Sequence, residues 1–575
     1  IDWLICFLYV LFLSYVLAED VSRVVVTSQG PVRGYKDKDH DLFAFYNIPY
    51  ATAPTGTNRF RAPEPAPTWT DTFEAVNQEI VCPQGEFILK HFSTKKMKEN
   101  CLISSVYVPD TDQTNLPVYV IVHGGGFAFG YGDLNTPKKL VSSKQIIAVT
   151  FNYRLGPHGF LCLGTEDVPG NAGMKDQVAL LRWVKKNIAS FGGNPDDVTI
   201  GGGSAGSASV DLLMLSKMAE GLFNKVIPES GASVASFAVQ SDPIEFAKAY
   251  GRLLGLENVD DIKKLEDQFK RIEYGKLFSE EIINRTDTTL LMSPCVERDL
   301  NQEMFLEEDP VSILKSGNYR KLPMLYGFAN MEGLVRIPNF EDWKLKMENK
   351  FSDFLPSDLK FKNDEERERV ANEVKTFYFG DKTVSENVLA YVDYFSDVII
   401  SYPILRAAKL QVEAGNDQIY LYEFTYTDQS NTPLVPGTNE RGATHCAQTL
   451  TVLDPFEAKD LNFIVYSEEY EEICRMYRKV WLNFIKTGKP VPENSGFPQW
   501  LPVGSDVSPH MSLNHTMELK GPLLKERMMF WDGIYRNHYC TPMPPNPDTY
   551  FCALILNTHI INLHRTVLQH PLCKF

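Results

Sequence analysis

Two stretches of this chain carry residue types and spacings suited to acyl transfer. The first, TIGGGSAGSASV (Thr199 to Val210), places Ser204 inside Gly202-Gly203-Ser204-Ala205-Gly206 and so fits G-x-S-x-G. In that pattern a serine stands on a tight strand-to-helix turn, where only small neighbours clear its backbone. The pentapeptide alone proves little, because about 0.2 matches arise by chance in a chain this long. A flexible Gly/Ser linker is the competing reading, and it makes no demand on the flanks. The second stretch, VIVHGGGFAFG, has His123 at the end of an apolar run and then Gly124-Gly125-Gly126. Backbone N–H groups of Gly125 and Gly126, with that of Ala205, are suited to bind an oxyanion in a three-point hole.

A serine hydroxyl is a weak nucleophile, so it needs a base within reach and a third group to orient that base. In this order of elements the acid follows the serine, and the histidine follows the acid. Glu332, in FANMEGLV, falls just beyond an apolar run, although by itself it is one Glu among many. Seven histidines follow it, four of them from His538 onward. His445, in RGATHCAQTLTVLD, occupies the loop position that a base requires, but composition does not single it out.

The elements that must position these groups are legible as apolar runs. Val118 to Val122, Ile146 to Phe151, Val198 to Ile200, Leu322 to Phe328 and Ile419 to Tyr426 read as buried strands. Between the second and third, Val178, Leu181, Val184 and Ile188 recur at helical spacing, and Gly192-Gly193 stop the helix. Strand, helix, strand in that order means a parallel crossover, hence an α/β sheet with helices on both faces. Ser204 follows the short strand Val198 to Ile200 and precedes the helix-like SASVDLLMLSKM, which favours the elbow over the linker.

Composition sets the bounds. At 575 residues with 44% apolar and 23% charged, the chain can bury a large core. A net charge of -16 without a basic cluster argues against nucleic acid and anionic membrane surfaces as partners. The apolar run from Trp3 to Ala18 is short for a membrane span and ends in Val16-Leu17-Ala18. It reads as a secretory signal over residues 1–18, a retained anchor being the other reading, and export is the expected fate. A single domain over 19–538 and an unassigned tail over 539–575 complete the organisation. Ten cysteines suit an oxidising compartment. Asn284 and Asn514 stand in N-x-S/T triplets as candidate glycan acceptors. No metal-binding motif appears, so neither metal nor cofactor is expected, and the oligomeric state is left open.

Longer stretches then resemble one family. IPYATAPTGTNRFRAPEPAPTW, NYRLGPHGFL, PGNAGMKDQVALLRWVKKNIASFGGNPDDVTIGGGSAG and PESGA are similar to type-B carboxylesterases and cholinesterases, collinearly from about Val21 to Arg536. The resemblance implies an α/β-hydrolase fold with a mostly parallel central sheet. It implies Ser204 as nucleophile, Glu332 as acid and His445 as base, with oxyanion donors at Gly125, Gly126 and Ala205. It also implies Ser230 as a buried second serine supporting acid and base, Phe237 in the acyl pocket, and a disulfide between Cys82 and Cys101.

Departures from the pattern narrow the expectation. Residues 83–100 contain no tryptophan to bind a quaternary ammonium, which argues against choline esters. Juvenile hormone esterases usually carry Gln before the nucleophile, where this chain has Gly203, and the acidic position after the histidine is Gln448. The family's second disulfide is expected to be absent, because AYGRLLGLENVDDIKKLEDQF lacks cysteine, and the pairing of cysteines other than Cys82 and Cys101 is left open. The implied activity is serine-dependent hydrolysis of small carboxylic esters, similar to that of secreted insect carboxylesterases acting on odorant, pheromone, dietary or xenobiotic esters. A catalytically silent adhesion or sequestering relative and a lipase on longer acyl chains are the alternatives.

Overall fold

The computed structural model describes residues 21–85, 95–279, 285–429, 431–454 and 467–547. The signal segment, Asn284 and the tail from 548 onward lie outside the described residues, as does part of the loop between Cys82 and Cys101.

Twelve strands lie side by side in one sheet, with the two-residue strand Phe73–Glu74 beside Gly30–Lys36. From one edge the order is Ser22–Thr27, Gly30–Lys36, Leu42–Pro49, Ile103–Pro109, Ile147–Phe151 and Leu116–Val122. It continues with Gly193–Gly203, Lys225–Glu229, Met324–Ala329, Ile419–Phe424, His510–Leu513 and Met517–Lys520. Every pair from Ile147–Phe151 to His510–Leu513 is parallel, and the pairs at either end are antiparallel.

The central strands are apolar on both faces because both faces are covered. Val118, Val120 and Val122 join one buried cluster, while the alternate residues Tyr119 and Ile121 join the other. Such splitting follows from the period of two along a strand. The expected crossover helix is Ala172–Asn187, and Gly192 ends the following 3-10 turn at φ 89°. Val178, Leu181, Val184 and Ile188 are all buried in it or directly after it. Among the described residues one helical run, Val388–Glu413, is long and apolar enough to cross a membrane, but 78% of its most apolar stretch is buried inside the fold.

Three details differ from the sequence expectation or extend it. The short strand Val198 to Ile200 is the middle of an eleven-residue strand, Gly193–Gly203. Its glycines lack side chains to pack, yet their backbones pair with neighbours on both sides, Gly202 with Val122 and with Pro228. The Cys82–Cys101 disulfide is present, and a second one, a pairing the sequence left open, joins Cys162 to Cys295. Beyond His538 the described chain stays packed: Tyr539 bridges Leu359, and Cys540 N donates to Asp358 O at 2.8 Å.

Candidate active site

Ser204 sits at the end of the strand Gly193–Gly203 and directly before the wholly buried helix Ala205–Leu215. Its backbone has φ 59° and ψ −123°, a conformation that a non-glycine residue adopts at a cost of about 1–3 kcal/mol. Neighbouring contacts hold it there: Ser204 N donates to Glu229 O at 2.9 Å, and Ser204 O accepts from Ala208 N at 3.0 Å. The run of tiny residues has a steric cause. A Cβ on Gly202 or Gly206 would lie 2.4 or 2.2 Å from the carbonyl oxygen of Val122.

The glycine loop Gly124 to Gly126 leaves the adjacent strand Leu116–Val122. His123 is buried and stacks on Tyr153 with ring centroids 4.3 Å apart, and its Nδ1 lies 2.8 Å from Gly124 O. Burial lowers its pKa to about 4, so the ring is neutral and can donate that hydrogen bond, fixing the loop. Gly125 passes so close to Phe129 that a Cβ would lie 2.1 Å from its carbonyl oxygen. Among the described residues no acceptor takes the N–H of Gly125, Gly126 or Ala205.

Glu332 begins the 3-10 helix Glu332–Asn339, three residues past the strand Met324–Ala329, and is 1% exposed. Its Oε1 accepts from Ala329 N at 2.7 Å and from Ser230 Oγ at 2.6 Å, and its Oε2 lies 2.5 Å from His445 Nδ1. An ionised carboxylate only accepts, so the Ser230 proton points at Glu332. The group on the far side of Ser230 must therefore donate, and it is the Gln448 amide, with Nε2 at 2.7 Å. In the sequence Gln448 is only a departure from pattern; its amide completes a chain of bonds that runs to His445.

His445 precedes the short helix Ala447–Val452. Burial opposes its charged form, yet the adjacent Cys446 sulfur and the Glu332 carboxylate outweigh burial and hold its pKa well above the usual histidine range. Glu229, unremarked in the sequence, is buried beside Ser204. Its carboxyl is pushed up to about 8 by burial, and its Oε2 accepts from Thr449 Oγ1 at 3.1 Å. Its place beside Ser230 at the end of an apolar run, KVIPES, is the signal that could have found it.

One cavity of about 380 Å³ brings these groups together. Ser204, His445, Gly124, Gly125 and Gly126 line it, and so does Phe237, the residue expected in the acyl pocket. Leu290, Val335, Ile399 and Leu450 give it apolar walls, and Cys446, Glu229 and Arg336 reach it too. Glu332 and Ser230 stand behind His445, away from the cavity. Of the candidate glycan acceptors, Asn514 lies in the turn between His510–Leu513 and Met517–Lys520 and is partly exposed.

A parallel sheet whose strand ends carry a strained serine and a histidine at one mostly apolar cavity, with a buried carboxylate behind the histidine, defines an α/β-hydrolase. Comparison with known proteins agrees: the chain belongs to the carboxylesterase family, whose model matches residues 21–531. It is 32% identical over 504 residues to a juvenile hormone esterase of Heliothis virescens, covering 83% of this chain and 88% of that protein. It is 32% identical over 515 residues to esterase FE4 of Myzus persicae, covering 85% and 88%. The crystal structure of juvenile hormone esterase from Manduca sexta, with OTFP covalently attached, superposes with a TM-score of 0.78 at 28% identity. It covers 90% of this chain and all of that one. The protein is a carboxylic ester hydrolase.

Proposed function

We propose that the protein hydrolyses small lipophilic carboxylic esters through an acyl-enzyme on Ser204. The carrying observation is the bonded series Gln448, Ser230, Glu332, His445, which ends at the cavity that Ser204 also lines. His445 takes the hydroxyl proton as Ser204 Oγ attacks the ester carbonyl, and Glu332 orients the imidazole and balances its charge. The N–H groups of Gly125, Gly126 and Ala205 receive the oxyanion, an effect of about 3 kcal/mol per donor. His445 then returns the proton to the departing alcohol. Water repeats the sequence on the acyl-enzyme and releases the acid.

The mostly apolar cavity, with Phe237 on its acyl side, supports esters of the kind met as odorants, pheromones, dietary compounds or xenobiotics. Two disulfides support residence in an oxidising, extracellular compartment, with Asn284 and Asn514 as glycan acceptors. The test is Ser204→Ala with nitrophenyl acetate as substrate. Turnover falls by about 10⁴-fold or more while the thermal transition persists. A variant that matches the wild-type rate would remove Ser204 from the mechanism.

A further inference from the structure

Among the walls of the cavity, Arg336 breaks an apolar pattern. It lies one turn after Glu332 on the 3-10 helix Glu332–Asn339, beside Val335. Its guanidinium lies 5.4 Å from the centroid of the Trp343 ring. Its Nε is buried with no hydrogen-bond partner, and among the described residues it forms no ion pair. The groups that favour its charge are Tyr391 first and the carboxylate of Asp287 second. That carboxylate is already engaged: its oxygens accept from Arg285 Nε at 3.1 Å and Arg285 Nη2 at 2.6 Å, and from Thr289 N at 3.2 Å. The hydrogen-bonded partner of that carboxylate is thus Arg285, not Arg336. Burial also lowers the pKa of Arg336, the mark of a charge held partly out of water. A guanidinium stays protonated in proteins, so what it lacks is a counter-ion.

We propose that Arg336 recognises a carboxylate carried by the substrate at a distance from the scissile ester. Half-esters of dicarboxylic acids are then the preferred class. A planar fork of donors suits a carboxylate better than a neutral oxygen, because charge-assisted bonds are about twice as strong. The apolar residues between Ser204 and Arg336 would hold the intervening methylene chain. This inference rests on the esterase reading and adds a substrate class to it.

The experiment compares 4-nitrophenyl half-esters of adipic and suberic acid with 4-nitrophenyl esters of uncharged acyl chains of equal length. The wild type should favour at least one half-ester by about tenfold in kcat/KM, mostly through KM. Arg336→Met should abolish that ratio, and Arg336→Lys should keep part of it. The proposal is overturned if the wild type shows no half-ester preference, a result that needs no variant. It is equally overturned if Arg336→Met leaves the ratio unchanged. Failure of the wild type to hydrolyse any of the uncharged esters would instead count against the esterase reading itself.

Discussion

Glu229→Gln isolates what a buried carboxyl contributes beside Ser204. The unfolded chain releases this proton near 4.5, whereas the folded chain keeps it up to about 8. Between these values the native state binds more protons than the unfolded one, so stability falls as pH rises through the interval and levels off above it. The slope is about 1.4 kcal/mol per pH unit, so from about pH 5 to about pH 7.5 the wild type loses ~3 kcal/mol. Glutamine has no such proton to hold, and its amide oxygen still accepts from Thr449. With roughly 500 residues unfolding together, ~3 kcal/mol corresponds to about 3 °C in Tm. Melting both proteins at the two pH values and one scan rate gives the comparison. The Tm of Glu229→Gln relative to wild type should be about 3 °C more favourable at the higher pH. A difference independent of pH refutes the assignment of a protonated, desolvated carboxyl at this position.

Cys446→Ala removes a sulfur that raises the His445 pKa, so that pKa falls. A base must be uncharged to act, and the acid limb of the kcat/KM profile should therefore move to lower pH; an unmoved limb contradicts the coupling. Replacing both Cys162 and Cys295 with alanine opens a link spanning 133 positions, worth about 4–5 kcal/mol in the chain-entropy account. Faster thermal inactivation is the expected reading, and an unchanged rate would assign the link no stabilising part.

The sequence discloses this fold where backbone and side-chain demands coincide. The runs at Val118 and Ile147 are β-branched and apolar, and each became a strand covered on both faces. Ser204 was legible because steric exclusion by Val122 leaves a visible trace of glycines. Glu332 and His445 were not, since one carboxylate or imidazole looks like another until folding surrounds it, and only the family pattern selected them. The Cys162–Cys295 pairing depends on proximity between distant segments, which no local pattern encodes. Glu229 and Arg336 escaped for a related reason: the interest of the first comes from its burial and that of the second from a buried Nε without a partner, properties that exist only in the folded chain. Of the antiparallel strands before Pro49, which also went unread, Gly30–Lys36 and Leu42–Pro49 hold one β-branched residue each, Val32 and Ile48.

The helix Glu332–Asn339 carries a buried carboxylate at its first residue and a cavity wall within its next turn. Lengthening or shortening this segment would drag the carboxylate away from the imidazole it touches. Descendants of this chain can thus explore new ligands here by exchanging side chains one at a time, whereas insertions and deletions must accumulate on other rims of the cleft.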